Sequence, residues 1–204
     1  MLRLDHLAVS ALTLDEGIAS VEQALGVTLS AGGKHPHMAT HNRLLALGDI
    51  YLEVIAADPA AHAPVWPRWF DLDRFTGPPR LTNWVAACDD LNAELALGPA
   101  GTGKAVNLER GDLRWRMGVP DDGRLPFDGC FPALISWQGL AHPAHLLPEV
   151  EVRLTLLEIA HPDADALRFS LKDRLSDPRI VYLTEPTKAL RASFSTPHGT
   201  RVIN

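Results

Sequence analysis

The chain has only two cysteines, Cys88 and Cys130, in 204 residues. A lone pair can be bridged, but the count suits a reducing compartment at least as well. No apolar run reaches the roughly 20 residues that span a bilayer, so no membrane partner is expected. The first residues, Met1-Leu2-Arg3-Leu4-Asp5, enter a strand pattern at once, so no secretory signal is expected. A cytoplasmic location is the default expectation. Basic charge is also short: the net charge is −6, and no basic stripe offsets it. Nucleic acid is therefore not an expected partner.

Two motifs are incomplete. Gly98-Pro-Ala-Gly-Thr-Gly103-Lys104 begins like a phosphate-binding loop, but Ala105 follows where Ser or Thr is needed. A helix precedes it and a strand follows, the reverse of a phosphate cradle, so no nucleotide cofactor is expected. Ser136 lacks the Gly-x-Ser-x-Gly turn of a hydrolase nucleophile. Neither cysteine has a neighbour that would lower its pKa.

What is present is an ordinary globular composition, 46% hydrophobic and 22% charged. The apolar periodicity predicts a strand over 2–9, a helix over 14–25 and strands near 28–33, 41–47 and 50–56. Thr13 and Glu16 have capping-box spacing, and Gly26 is placed to stop the helix. The pattern recurs. A strand runs to Ala87, Asp89 or Asp90 caps a short helix, and strands follow near 105–109, 112–119 and 131–137. A third echo has a strand over 151–160, a helix capped by Asp163 and running to about Leu175, and strands near 179–184, 189–195 and 201–203. This divides the chain into units 1–57, 81–143 and 150–204. Between the first two lies a connector, 58–80, rich in proline yet carrying Trp66, Trp69 and Phe70. Its aromatics predict packing against the body, as core or as a lid.

His6 and Glu53 are polar residues in the middle of apolar strands. Alternation puts His6 with Leu4 and Ala8, opposite Leu7 and Val9, and puts Glu53 with Tyr51 and Ile55. Both can then face one cavity. A carboxylate there needs a cation or a strong hydrogen-bond set, so the residues leave two readings: a divalent-metal site or a hydrogen-bonded pair. His35, His37 and His41 cluster nearby, and Gly32-Gly33 lets their loop turn tightly. Trp115 alternates against Arg114 and Arg116, so either the arginines or the tryptophan face inward. Inward arginines would bind a carboxylate or phosphate. Trp84 and Trp137 offer apolar platforms.

The order Asp5-His6-Leu7, helix, Gly32-Gly33-x-His35, Thr40-His41-Asn42-Arg43, Tyr51-Leu52-Glu53 resembles the glyoxalase-like branch of the vicinal oxygen chelate superfamily. The resemblance is specific over residues 1–57 and looser to about 143. It implies an α+β fold of repeated βαβββ modules, with curved mixed sheets around a central cavity. It also implies a small, oxyanionic organic ligand, and chemistry of the lyase, isomerase or ring-cleaving oxygenase kind. His6 and Glu53 occupy the family's metal positions for a single divalent ion, zinc, iron, manganese or nickel. Glu53 and His41 are then the expected proton carriers, with His41 a third ligand if it faces inward. In the second module Asn83 takes the place of His6 and Ser136 that of Glu53, a departure from the metal pattern. The expected ligand-binding set is His35, His37, Asn42, Arg43, Asn83, Trp84, Arg114, Arg116, Ser136 and Trp137. The alternatives are a non-catalytic binding protein and a dimerisation module, with residues 150–204 as the homodimer contact.

Overall fold

A computed structural model describes residues 1–204. The first unit is β1 (Arg3–Ser10), α1 (Leu14–Leu25), β2 (Ser30–His35), β3 (Thr40–Ala46) and β4 (Tyr51–Ala57). Thr13 Oγ1 accepts from Glu16 N at 3.3 Å, and Gly26 closes α1 in the left-handed region at φ 72°. The second unit is β5 (Arg80–Ala87), α2 (Leu91–Leu97), β6 (Lys104–Arg110), β7 (Leu113–Val119) and β8 (Ala133–Trp137). After a short α3 (Pro143–Leu146) come β9 (Arg153–His161), α4 (Ala164–Leu171), β10 (Ile180–Thr184), β11 (Ala189–Thr196) and β12 (Gly199–Ile203).

The first two units join into one eight-stranded sheet, ordered β2-β3-β4-β1-β5-β8-β7-β6. Antiparallel pairing of β1 with β5 makes the seam. The sheet curls until its ends meet: Arg110 on β6 reaches Asn42 on β3. The cavity is therefore completed within a single chain. Gly33 allows this closure, because a Cβ there would stand 2.6 Å from Arg110 Cδ. A Cβ on Gly32 would collide with Asn42. These two glycines serve close approach, not the tight turn expected of them.

The last unit repeats the order strand, helix, three strands but pairs differently. Its sheet runs β10-β9-β11-β12, with β10 parallel to β9, whereas in the first unit the last strand takes that place beside β1. Asp163 makes no side-chain cap on α4, which ends at Leu171; His161 Nδ1 accepts from Asp163 N instead. This unit packs on the helix side of the large sheet. Leu7, Leu52, Trp84 and Leu134 from the sheet share one core with Leu157, Leu167 and Phe194. The inner face has its own core of Ala8, Ile55, Val85, Trp115, Met117 and Ile135, into which the connector inserts Trp69 and Phe70. The connector thus packs as predicted, although Trp66 stays partly exposed. No helix is long and apolar enough to cross a membrane.

Candidate functional site

The inner face holds a buried polar chain. A register shift between Leu4 and His6 in the β1–β5 ladder makes Asp5 the extra residue of a bulge. The bulge breaks simple alternation. Leu4 joins Leu7 and Val9 in the helix-side core, while Asp5 and His6 both turn inward. Asp5 Oδ1 lies 2.5 Å from His6 Nδ1. Its Oδ2 accepts from Trp137 Nε1 at 2.8 Å and from His142 Nε2 at 3.0 Å. Burial alone would raise the Asp5 pKa, but the hydrogen bonds from His142 and His6 outweigh it and hold the carboxyl well below its usual range. Asp5 is therefore a carboxylate, which only accepts, so His6 carries its proton on Nδ1. His6 stacks on Tyr51, with ring centroids 4.4 Å apart. Burial pushes the Tyr51 hydroxyl well above its ordinary pKa, so it stays protonated.

This fixes His6 Nε2 toward Glu53 Oε2, 3.7 Å away. That gap exceeds a hydrogen bond and suits a small polar donor between two acceptors. The other Glu53 oxygen, Oε1, accepts from Asn42 Nδ2. Asn42 Oδ1 accepts from Gly33 N at 2.8 Å and Arg110 Nη1 at 3.1 Å. Arg110 also lies 3.3 Å from His35 Nε2, and His35 Nδ1 lies 3.2 Å from Thr40 Oγ1. Since arginine only donates, His35 Nε2 accepts and Nδ1 carries the proton. Burial, with the nearby Arg110 charge, lowers the His35 pKa to about 4, so it is neutral near pH 7.

The enclosed space between these groups is small, about 30 Å³. That holds a water, and an organic molecule can place only its reacting atoms here with its body outside. His35, Arg110 and Trp115 also line an open groove of about 650 Å³ with Lys34, His37 and Glu109, and this groove leads to the cavity. Trp69 and Phe70 cover the cavity from the connector side.

Of the residues singled out in the sequence, the cavity brings together His6, Glu53, His35, Asn42 and Trp137. His37 lies outside, stacked on Trp66 along the groove. The others point elsewhere. Asn42 and Leu44 face inward, so His41 and Arg43 lie on the opposite face of β3 with Leu45. Arg116 donates to Asn92 on α2, and Arg114 pairs with Glu109, while Trp115 takes the inward face. Ser136 Oγ lies 3.5 Å from Asp89 O on the helix side, because Ile135 and Trp137 face in. Trp84 is buried in the helix-side core and donates to Cys130 O. Asn83 opens onto a different pocket. Sequence reading missed Asp5, Arg110, His142 and the inward role of Trp115. The bulge at Asp5 and the long-range closure by Arg110 leave no local periodic signal.

These placements bear on the metal. A resident transition ion takes three or more protein ligands. Here His6 Nε2 and Glu53 Oε2 are the two free donors, and His41, Asn83 and Ser136 face away. No group of three metal-ligating side chains forms. The donor set does not fit the implied ion.

The curled sheet of paired βαβββ modules around a polar inner cavity defines a protein of the vicinal oxygen chelate class. The model of the family described as a glyoxalase-like domain matches residues 4–175, and the chain belongs to that family. Among solved structures, a hypothetical protein from Staphylococcus aureus is similar at 14% identity and a TM-score of 0.59, covering 95% of this chain and 81% of that one. Methylmalonyl-CoA epimerase from Mycobacterium tuberculosis is similar at 17% identity and a TM-score of 0.44, covering 68% of this chain and 88% of that one. The likeness to the Staphylococcus aureus protein, at that identity, speaks to fold alone. Comparison with curated proteins gives no match.

Proposed function

We propose that the protein moves a proton on a small oxyanionic organic molecule, as an isomerase or lyase does. The supporting observation is the Asp5–His6 pair aimed at Glu53 across 3.7 Å in a cavity that the groove beside Arg110 adjoins. Asp5 positions His6 through its Nδ1, which leaves the Nε2 lone pair facing Glu53. Glu53 takes the proton from one carbon of the ligand and returns it to another atom of the same ligand, while the His6 Nε2 lone pair accepts a hydrogen bond from a ligand hydroxyl. Arg110 faces the ligand from the groove and binds its oxyanion, with the Tyr51 hydroxyl as a further donor. Ring-cleaving oxygenation is set aside, because its redox ion would need a third side-chain ligand. Sequestration without catalysis is the second reading, favoured by the incomplete ligand set.

Thermal-shift screening with small organic acids finds the ligand, since native-state binding raises Tm above Kd. Each binder is then held in D2O and followed by NMR for proton exchange. We expect exchange with wild type and a loss of about 10²-fold or more in Glu53→Gln. Binding without exchange would leave the sequestration reading. Stoichiometric metal that disappears in both His6→Ala and Glu53→Ala would overturn the metal-free scheme.

A further inference from the structure

A second pocket, about 390 Å³, opens beside the inner cavity, and Phe70 lines both. Its walls come from the connector, the second module and the last unit. Four cations border it: Arg74, Arg80, Arg124 and Lys188. Two carboxylates, Asp71 and Asp128, lie among them, leaving a local excess of positive charge in a chain of net charge −6. The carboxylates do not neutralise the set. Arg74 and Arg124 share the one Asp71 oxygen Oδ1. Asp128 Oδ2 turns to His161 Nε2 at 3.4 Å, so its carboxylate leaves Lys188 with only the backbone oxygen of the same residue. Arg80 has backbone oxygens and the Phe75 ring for partners, but no carboxylate.

Two further observations converge on this pocket. Asn83, 3% exposed, faces it and makes a single long hydrogen bond, Nδ2 to Gly129 O at 3.5 Å. Two Phe-Asp pairs beside it are held in the left-handed region, Phe70 and Asp71 at φ 58° and 54°, Phe127 and Asp128 at φ 53° each. Bulky residues rarely adopt that conformation, and such strain gathers at ligand clamps. Lys188 lies beyond the family-matched residues 4–175, so this charge is not part of what the family model describes.

The geometry points to a binding site for a multiply charged oxyanion, a phosphate or a dicarboxylate, held by Arg74, Arg80, Arg124 and Lys188. The volume is in the range of small-molecule sites. Phe75 and Leu125 give an organic body an apolar wall. The site stands apart from the proton-transfer reading, because it uses none of the Glu53 network.

Isothermal titration calorimetry of the full chain with inorganic phosphate and with succinate tests it. We expect saturable binding of at least one, weakened by added salt. Arg124→Ala with Lys188→Ala should weaken it more than about tenfold, a loss of roughly 1.4 kcal/mol. Both residues are exposed, so folding is spared, and unchanged circular dichroism checks this. Glu53→Gln should leave the affinity unchanged. Phosphate binding alone marks a phosphate-bearing ligand, and succinate binding alone a dicarboxylate. Absence of saturable binding by either anion overturns the site. So does binding that survives the double substitution but is lost in Arg110→Ala, which would place the anion in the inner cavity.

Discussion

Asp5 is buried with three donors on its two oxygens, from His6, Trp137 and His142. Asparagine keeps the shape but replaces one acceptor with a donor. Asp5→Asn should therefore cost about 3 kcal/mol or more in urea denaturation, as for breaking a buried network. It should also free His6 from its tautomer and slow any proton exchange. His35 makes a different prediction. Its folded pKa of about 4 lies below its ordinary 6.5. As pH falls from about 6.5 to about 4 the unfolded chain gains a proton that the folded chain refuses, so stability declines across that window. The limiting size is on the order of 3 kcal/mol. His35→Gln should flatten stability between pH 4 and 6.5. The loss expected from Asp5, whose folded pKa is depressed, lies below its ordinary value of 3.8 and should remain.

At the scale of elements, strand phase decides which arginine meets a ligand. Arg116 points to α2 and Arg114 to the hairpin end, while Arg110 closes the sheet onto Asn42. Arg110→Ala should abolish stabilisation by any oxyanionic ligand that binds the inner cavity. Arg114→Ala and Arg116→Ala should shift Tm little, with stability changes within about 0.5 kcal/mol, as for surface substitutions. Strand and helix order was legible in the residues, because β1, β4 and α1 carry clean apolar periods and Thr13 and Gly26 carry cap chemistry. The site was half legible. His6 and Glu53 stood out as polar residues in apolar strands, and Asn42 came only with the family resemblance. Asp5 did not, because alternation assigned it to the core with Leu7, and only the bulge turns it inward. The phase of β7 was equally hidden, since tryptophan and arginine alternate there and either can face in.

For the whole molecule, the last unit shares its core with the large sheet, and Phe194 is fully buried there. Phe194→Ala should cost about 3–5 kcal/mol. It should move the fluorescence transition of Trp115 and Trp137 together with the far-UV circular dichroism transition, because one core serves both layers. Separate transitions would show the last unit unfolding by itself. The backbone of the connector carries a consequence in time. Trp69 and Phe70 close a space of about 30 Å³, and Phe70 sits in a conformation its side chain disfavours. A molecule too large to enter from the groove beside Arg110 must wait for that cover to lift. In stopped-flow fluorescence the observed entry rate should rise with ligand concentration and then level off at the speed of the cover itself. Phe70→Gly, which relaxes the backbone and removes the ring, should raise that plateau.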